Sequence, residues 1–95
     1  MNIYRILLTM NNVLTGKPSN YYLVSYKPDR KGNIFCNYVH DGLPYKAHAY
    51  KNYSSALTAA KKVLEKDSRV LEVTILCNSA ESIHLKKGDL KNETM

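Results

Sequence analysis

The segment from Tyr53 to Asp67 constrains the fold more than any other part of this chain. Its apolar residues recur at helical spacing, whereas hydroxyls and charges occupy the opposite side. Asn52 or Ser54 is suited to cap the first turn, because a side-chain oxygen there can accept an otherwise unpaired N–H. The spacing predicts an amphipathic helix that buries five residues against a sheet: Ala56, Leu57, Ala60, Val63 and Leu64.

Segments typical of β-strands surround this helix. Aromatic and β-branched residues predict strands over 3–9, 21–27, 34–40, 45–50 and 70–77, with turn-forming residues between them. Asp41-Gly42 predicts a hairpin between the third and fourth strands, since both central residues of a type I′ turn need positive φ. The first and last of these strands are apolar enough to be central. Residues 82–85 form a candidate edge strand.

The order β-β-β-β-α-β predicts an α+β fold. We expect a two-layer sandwich in which a mainly antiparallel sheet of about five strands carries one helix on one face. The 95 residues predict a single domain over 1–95, with an ordered core over about 2–78 and a frayed tail over 86–95.

The sequence offers no converging catalytic or metal-binding groups. Cys36, His40 and His48 form the only cysteine and histidine grouping, and their spacing does not repeat as zinc-binding pairs do. The four glycines stand singly, so no phosphate-binding loop is present. We therefore expect a non-enzymatic protein with no cofactor and no metal, in which Cys36 and Cys77 stay reduced as small apolar residues.

Positive charge is concentrated in the middle of the chain. The formal net charge is +6, and residues 21–66 contain eight basic and three acidic side chains. Such a surface favours nucleic acid, a nucleoprotein complex or an acidic protein face. The alternative is a surface that only promotes solubility, which the excess of lysine over arginine favours.

Tyrosines alternate with these basic residues, which predicts a nucleic-acid or partner-binding surface in which rings stack on bases and lysines contact phosphates. The alternative function is a protein–protein interaction module, such as a small phage or mobile-element inhibitor or an accessory subunit acting on a host nucleic-acid-handling defence complex. The candidate binding residues are Lys27, Arg30, Lys31, Lys46, Lys51, Lys61, Lys62, Lys66, Tyr21 and Tyr38.

The predicted order of three strands and a helix over Tyr21–Lys66 resembles the arm-binding domains of tyrosine recombinases. Those domains lay a three-stranded sheet against DNA, so the resemblance implies DNA binding through the sheet. It covers element order and spacing, and no defining sequence motif accompanies it.

The sequence also predicts the location of the protein and a way in which two copies could assemble. No window approaches the ~18 apolar residues of a spanning helix, so we expect a cytoplasmic protein without a membrane partner. A homodimer could form if residues 3–9 or 82–85 provide an exposed sheet edge.

Overall fold

The computed structural model describes residues 2–78 and 80–87, which form one antiparallel sheet and one α-helix. A 3₁₀ turn at Pro44–Lys46 and the helix α1 (Tyr53–Lys66) separate the third strand from the fourth. The sheet has the order β3-β2-β1-β4-β5. Its strands are β1 (Tyr4–Asn11), β2 (Pro18–Pro28), β3 (Ile34–His40), β4 (Val70–Cys77) and β5 (Ala80–Lys86).

This architecture confirms the predicted α+β fold class. The first strand lies at the centre of the sheet and β4 lies beside it, as their apolar composition predicts. Residues 82–85 fall within β5, which is an outer strand of the described sheet. Of the predicted tail over 86–95, Lys86 is the last residue of β5, and residues 88–95 lie outside the described residues. Among the residues described, no helix is both long and apolar enough to cross a membrane.

The core lies between the helix and one face of the sheet. Alternate residues of β1, namely Ile6, Leu8 and Met10, are buried on this face. The second face carries the intervening residues, such as Arg5 and Leu7. On that face Nε2 of His84 on β5 lies 2.7 Å from Oε1 of Glu72 on β4. The molecule is therefore covered by its helix on one side only.

The buried side of α1 is rotated from the one predicted. Its buried residues are Ala56, Ala59, Ala60, Val63 and Leu64, while Leu57 is half-buried. Successive helical residues are about 100° apart, so the five buried residues span an arc with Ala59 at one end and Leu64 at the other, and Leu57 lies about 20° beyond Leu64. Leu57 therefore packs against the core at the edge of the buried side and is only half-buried rather than buried as predicted, whereas Ala59, which the prediction omitted, is buried.

The predicted fourth strand over 45–50 is absent, and with it the hairpin at Asp41-Gly42. Pro44 has no N–H to donate to a ladder, and its fixed φ begins the 3₁₀ turn instead. Within this segment Tyr50 forms an isolated bridge to Tyr4, and the N–H of His48 donates to the carbonyl oxygen of Leu23 on β2 at 3.0 Å. The element order is therefore β-β-β-α-β-β rather than β-β-β-β-α-β.

Two further expectations are corrected by the same topology. The segment over 21–66 contains only two strands before the helix, so the three strands on which the recombinase resemblance depended are not there. The second corrected expectation is the homodimer through residues 3–9. Because β1 pairs with β4 over residues 4–10, with β2 over residues 7–11 and with Tyr50 at Tyr4, it lies inside the sheet and is not the edge strand that a dimer through residues 3–9 requires.

Candidate nucleic-acid interface

The turn between β2 and β3 is built around Asp29. Its carboxylate accepts hydrogen bonds from the backbone N–H groups of Lys31 at 2.8 Å and of Asn33 at 2.9 Å. Gly32 adopts φ +87°, a left-handed conformation that glycine reaches without steric cost. The carboxylate is thus engaged by the turn's own backbone. Among the described residues, neither Arg30 nor Lys31 forms an ion pair with it.

An aromatic ring stands beside these cations. Phe35 on β3 is opposite Lys27 on β2, and side chains at paired positions lie on the same face of the sheet. Phe35 is 60% exposed, although an apolar ring of this size is usually buried. The hairpin therefore presents an uncovered aromatic ring together with the cations of Lys27, Arg30 and Lys31.

The end of α1 brings a further lysine to this hairpin. Lys66 and Phe35 line the same cleft of about 220 Å³, whose other lining residues are Asn33, Ile34, Asp67, Ser68 and Arg69. Lys62, one helical turn earlier, is exposed on the same helix. We call the surface formed by Lys27, Arg30, Lys31, Phe35 and Lys66 the basic hairpin surface.

The remaining predicted lysines are distributed elsewhere. Lys46 lies in the 3₁₀ turn and Lys51 just before α1, and neither lines the cleft at Phe35. Lys61 is half-buried on α1, whereas Lys62 is exposed. The structure thus groups Lys27, Arg30, Lys31 and Lys66 and leaves the other candidates outside this group.

Tyr21 and Tyr38 contact each other, and Tyr38 remains 40% exposed. Their ring centroids are 4.9 Å apart in an edge-to-face arrangement, and Tyr21 packs against the core. The guanidinium of Arg69 lies 5.6 Å from the ring centroid of Tyr38. Arg69 thus occupies one face of the Tyr38 ring. The role predicted for these two tyrosines stays a prediction, and the exposed ring of Phe35 meets the geometric need better.

Next to this surface, Asp67 holds the end of α1 against the edge strand β3. The carboxylate accepts the Cys36 N–H at 3.2 Å, and Arg69 donates to it through Nη2 at 2.8 Å. Burial alone would raise the pKa of Asp67. Hydrogen bonds from Arg69 and Cys36, with the positive charge of Arg69, outweigh burial and lower that pKa to about 2.

The thiol of Cys36 is shifted in the opposite direction. Burial, followed by the hydrogen bond and the negative charge of Asp67, raises the pKa of Cys36 to about 12 despite the nearby Arg69. Cys36 and Cys77 are both free cysteines. Within residues 2–78 and 80–87, no three histidine, cysteine, aspartate or glutamate side chains are grouped so that they could hold a metal ion.

Comparison with known proteins gives no further guide to this site. No protein-family model matches the chain, and neither the curated proteins nor the solved structures include a significant match.

The sequence pattern did not identify Phe35 as a site residue. Phe35 lies between Ile34 and Cys36, both of which are buried, so strand alternation alone places it on the opposite face. Two features of the sequence could have identified Phe35. It alternates with two apolar residues that strand geometry places in the core, and its strand directly follows the basic turn.

Proposed function

We propose that the protein is a small non-enzymatic binding module that contacts single-stranded nucleic acid through the basic hairpin surface. The observation that carries this proposal is the 60% exposure of Phe35 directly opposite Lys27. An exposed ring beside cations is the arrangement by which many proteins stack unpaired bases while contacting the phosphates.

The electrostatics of the surface favour an anion. Lys27, Arg30 and Lys31 lie within five residues, and the nearby carboxylate of Asp29 is engaged by backbone N–H groups. The other exposed carboxylate beside the surface belongs to Glu65. Its Oε1 lies 3.6 Å from Nζ of Lys66. Cations therefore outnumber the exposed carboxylates here, which favours a phosphate backbone.

Stacking explains why single strands are preferred to duplexes. A ring on the surface of a β-hairpin meets only base edges in a duplex, whereas unpaired bases expose their faces to it. Each stacked base contributes about 1–3 kcal/mol to the free energy of binding, and bases of every identity can stack in this way. We therefore expect binding with little sequence specificity.

Fluorescence anisotropy with a labelled 12-nucleotide single strand tests the proposal. We expect micromolar binding at low salt, and log Kd should rise linearly with log salt concentration because counterions are released. Phe35→Ala should weaken binding by about 1–3 kcal/mol without changing the salt slope. The double variant Arg30→Ala/Lys31→Ala should reduce the slope by about 0.7 for each cation removed.

Tyr45→Ala is the matched control, since Tyr45 is an exposed aromatic residue in the 3₁₀ turn, outside the basic hairpin surface. Its affinity should equal that of the wild type. Absence of binding at low salt with micromolar protein would refute nucleic-acid binding. Equal losses for Phe35→Ala and Tyr45→Ala would remove the stacking role of Phe35.

A further inference from the structure

Two adjacent aliphatic side chains are almost completely exposed at the turn between β1 and β2. Val13 is 97% exposed and Leu14 is 95% exposed. Single exposed apolar residues are common on protein surfaces, but an adjacent pair projecting fully into solvent is costly and suggests an interaction site. Because β2 runs between this turn and the β2–β3 turn, the pair is separated from Arg30 and Lys31 by the whole of Pro18–Pro28.

The turn that carries this pair is held by its own hydrogen bonds. The side-chain oxygen of Asn12 accepts the N–H of Leu14 at 2.8 Å, and its backbone oxygen accepts the N–H of Gly16 at 2.7 Å. The N–H of Asn12 donates to the backbone oxygen of Lys17 at 2.8 Å. These bonds fix the backbone on both sides of Val13 and Leu14. Little conformational freedom would therefore be lost when a partner encloses the two side chains.

A polar cleft with a carboxylate lies directly beside the turn. The side chain of Asp41 is 47% exposed, and its Oδ1 lies 3.3 Å from Nδ1 of His40. The same nitrogen of His40 accepts the N–H of Gly42 at 3.0 Å. The cleft is lined by Asn12, Ser19, Asn20, Tyr21, His40 and Asp41.

From this juxtaposition we propose a second binding site: Val13 and Leu14 insert into an apolar pocket of a protein partner, and Asp41 pairs with a lysine or arginine at the rim of that pocket. An apolar anchor surrounded by hydrogen-bonding groups is the usual anatomy of a protein interface. The amides and hydroxyls of the cleft supply such a rim, and Asp41 supplies charge complementarity.

The local charge disfavours a lipid membrane or nucleic acid as the partner of the exposed apolar pair. Between residues 12 and 17 the only charged side chain is Lys17, so the turn lacks the basic cluster that attracts anionic lipid headgroups. The carboxylate of Asp41 would repel a phosphate backbone. This turn is thus distinct in chemistry and in location from the basic hairpin surface.

Site-specific photo-crosslinking in the cells that naturally express the protein tests this inference. The photoreactive residue p-benzoyl-L-phenylalanine is incorporated at position 14, with position 62 on α1 as the matched exposed control. We expect position 14 alone to yield a protein adduct, whose crosslinked peptide maps to an apolar pocket bordered by a basic residue.

The identified partner is then produced recombinantly and its affinity measured. Leu14→Ser should weaken binding at least tenfold, while Leu14→Met should restore it to near the wild-type value. Asp41→Asn should weaken binding about three- to tenfold and reduce its dependence on salt. Folding is not at risk in the Leu14 variants, because this side chain is 95% exposed.

Several results would overturn the inference. These are the absence of any adduct at position 14, an adduct with nucleic acid or lipid, and a partner whose affinity is unchanged by Leu14→Ser. The affinity of the Leu14→Ser variant for the single strand should equal that of the wild type, so failure of this site is distinguishable from failure of the basic hairpin surface.

Discussion

The side chains of Asp67 and Arg69 form hydrogen bonds with the backbone N–H and the backbone carbonyl oxygen of Cys36 on the edge strand β3. The Asp67 carboxylate accepts the Cys36 N–H at 3.2 Å, and Nη2 of Arg69 donates to the Cys36 carbonyl oxygen at 3.3 Å. The two side chains are joined to each other by an ion pair of 2.8 Å. They take the place that a neighbouring strand would occupy, so this part of the β3 edge is not open to another strand.

The buried Asp67 carboxylate should make stability depend on acidic pH. Its folded pKa of about 2 is below its ordinary value of 3.8, so its contribution is complete above the ordinary value and is lost as pH falls through the folded value. The difference corresponds to about 2 kcal/mol. Urea denaturation of the wild type should show this loss between about pH 4 and pH 2.

The variant Asp67→Asn isolates this contribution from those of the other carboxylates. At pH 7 it should be less stable than the wild type by about 1.5–3 kcal/mol, since hydrogen bonds to a charged group are lost. The difference between the two proteins should shrink as pH falls toward 2. If the two stability curves stay parallel over this range, Asp67 does not carry the pH dependence.

The two cysteines should differ in reactivity. Cys36 is 6% exposed and its pKa is about 12, so almost none of it is thiolate at pH 8. Cys77 is only half-buried. In a pulse of iodoacetamide at pH 8 analysed by peptide mass spectrometry, Cys77 should be alkylated first, and Cys36 only as fast as the protein unfolds.

Asp67→Asn should also change the reactivity of Cys36. Because the variant is less stable and exposes Cys36 more often by unfolding, alkylation of Cys36 should be faster in it than in the wild type. Faster alkylation of Cys36 than of Cys77 in the wild-type protein would contradict the environment described for the two thiols.

Local patterns predicted most of the fold. The strands β3 and β4 have the predicted bounds, and α1 begins at the predicted Tyr53, because periodicity and turn residues act over short distances. The segment over 45–50 misled because its residues favour strands, whereas Pro44 and the bridge from Tyr50 to Tyr4 decide its conformation. That bridge joins residues far apart in sequence, which no local pattern contains.

The candidate site was harder to predict than the fold. The sequence identified Lys27, Arg30 and Lys31 because they are close together in the chain. It could not identify Lys66 as their neighbour, since that proximity arises from packing of α1 beside β3. The partners of Tyr38 could not be predicted for the same reason, because Arg69 follows the helix and meets the ring only in the folded structure.

The cap of α1 offers a test of local stability. The side-chain oxygen of Asn52 accepts the N–H of Ser55 at 2.8 Å, which resolves the choice between Asn52 and Ser54 in favour of Asn52. Asn52→Ala should cost about 0.5–2 kcal/mol in urea denaturation. Asn52→Asp should retain the stability, since it keeps the acceptor and adds a favourable charge at the helix N-terminus.

Ser54→Ala is the control for the cap, because Ser54 lies within the helix and is exposed. It should change the free energy of unfolding by less than about 0.5 kcal/mol. A larger loss for Ser54→Ala than for Asn52→Ala would reassign the cap.

Three substitutions on α1 should rank in the order of burial. Leu64 is fully buried, Leu57 is half-buried and Lys62 is exposed. Leu64→Ala should cost about 2–5 kcal/mol, because transfer energy is lost and a cavity remains between helix and sheet. Leu57→Ala should cost less, about 1–2 kcal/mol, since part of the side chain is already in water. Lys62→Ala should stay within about 0.5 kcal/mol of the wild type.

Thermal and urea denaturation of the three variants under identical conditions check this order. Leu57 lies at the edge of the buried side of α1, so its comparison with Leu64 tests how far burial extends around the helix and not merely the presence of a helix. Equal costs for Leu57→Ala and Leu64→Ala would mean that Leu57 is as fully buried as the sequence pattern predicted. A cost for Leu64→Ala as small as that for Lys62→Ala would mean that α1 does not pack on the sheet through this residue.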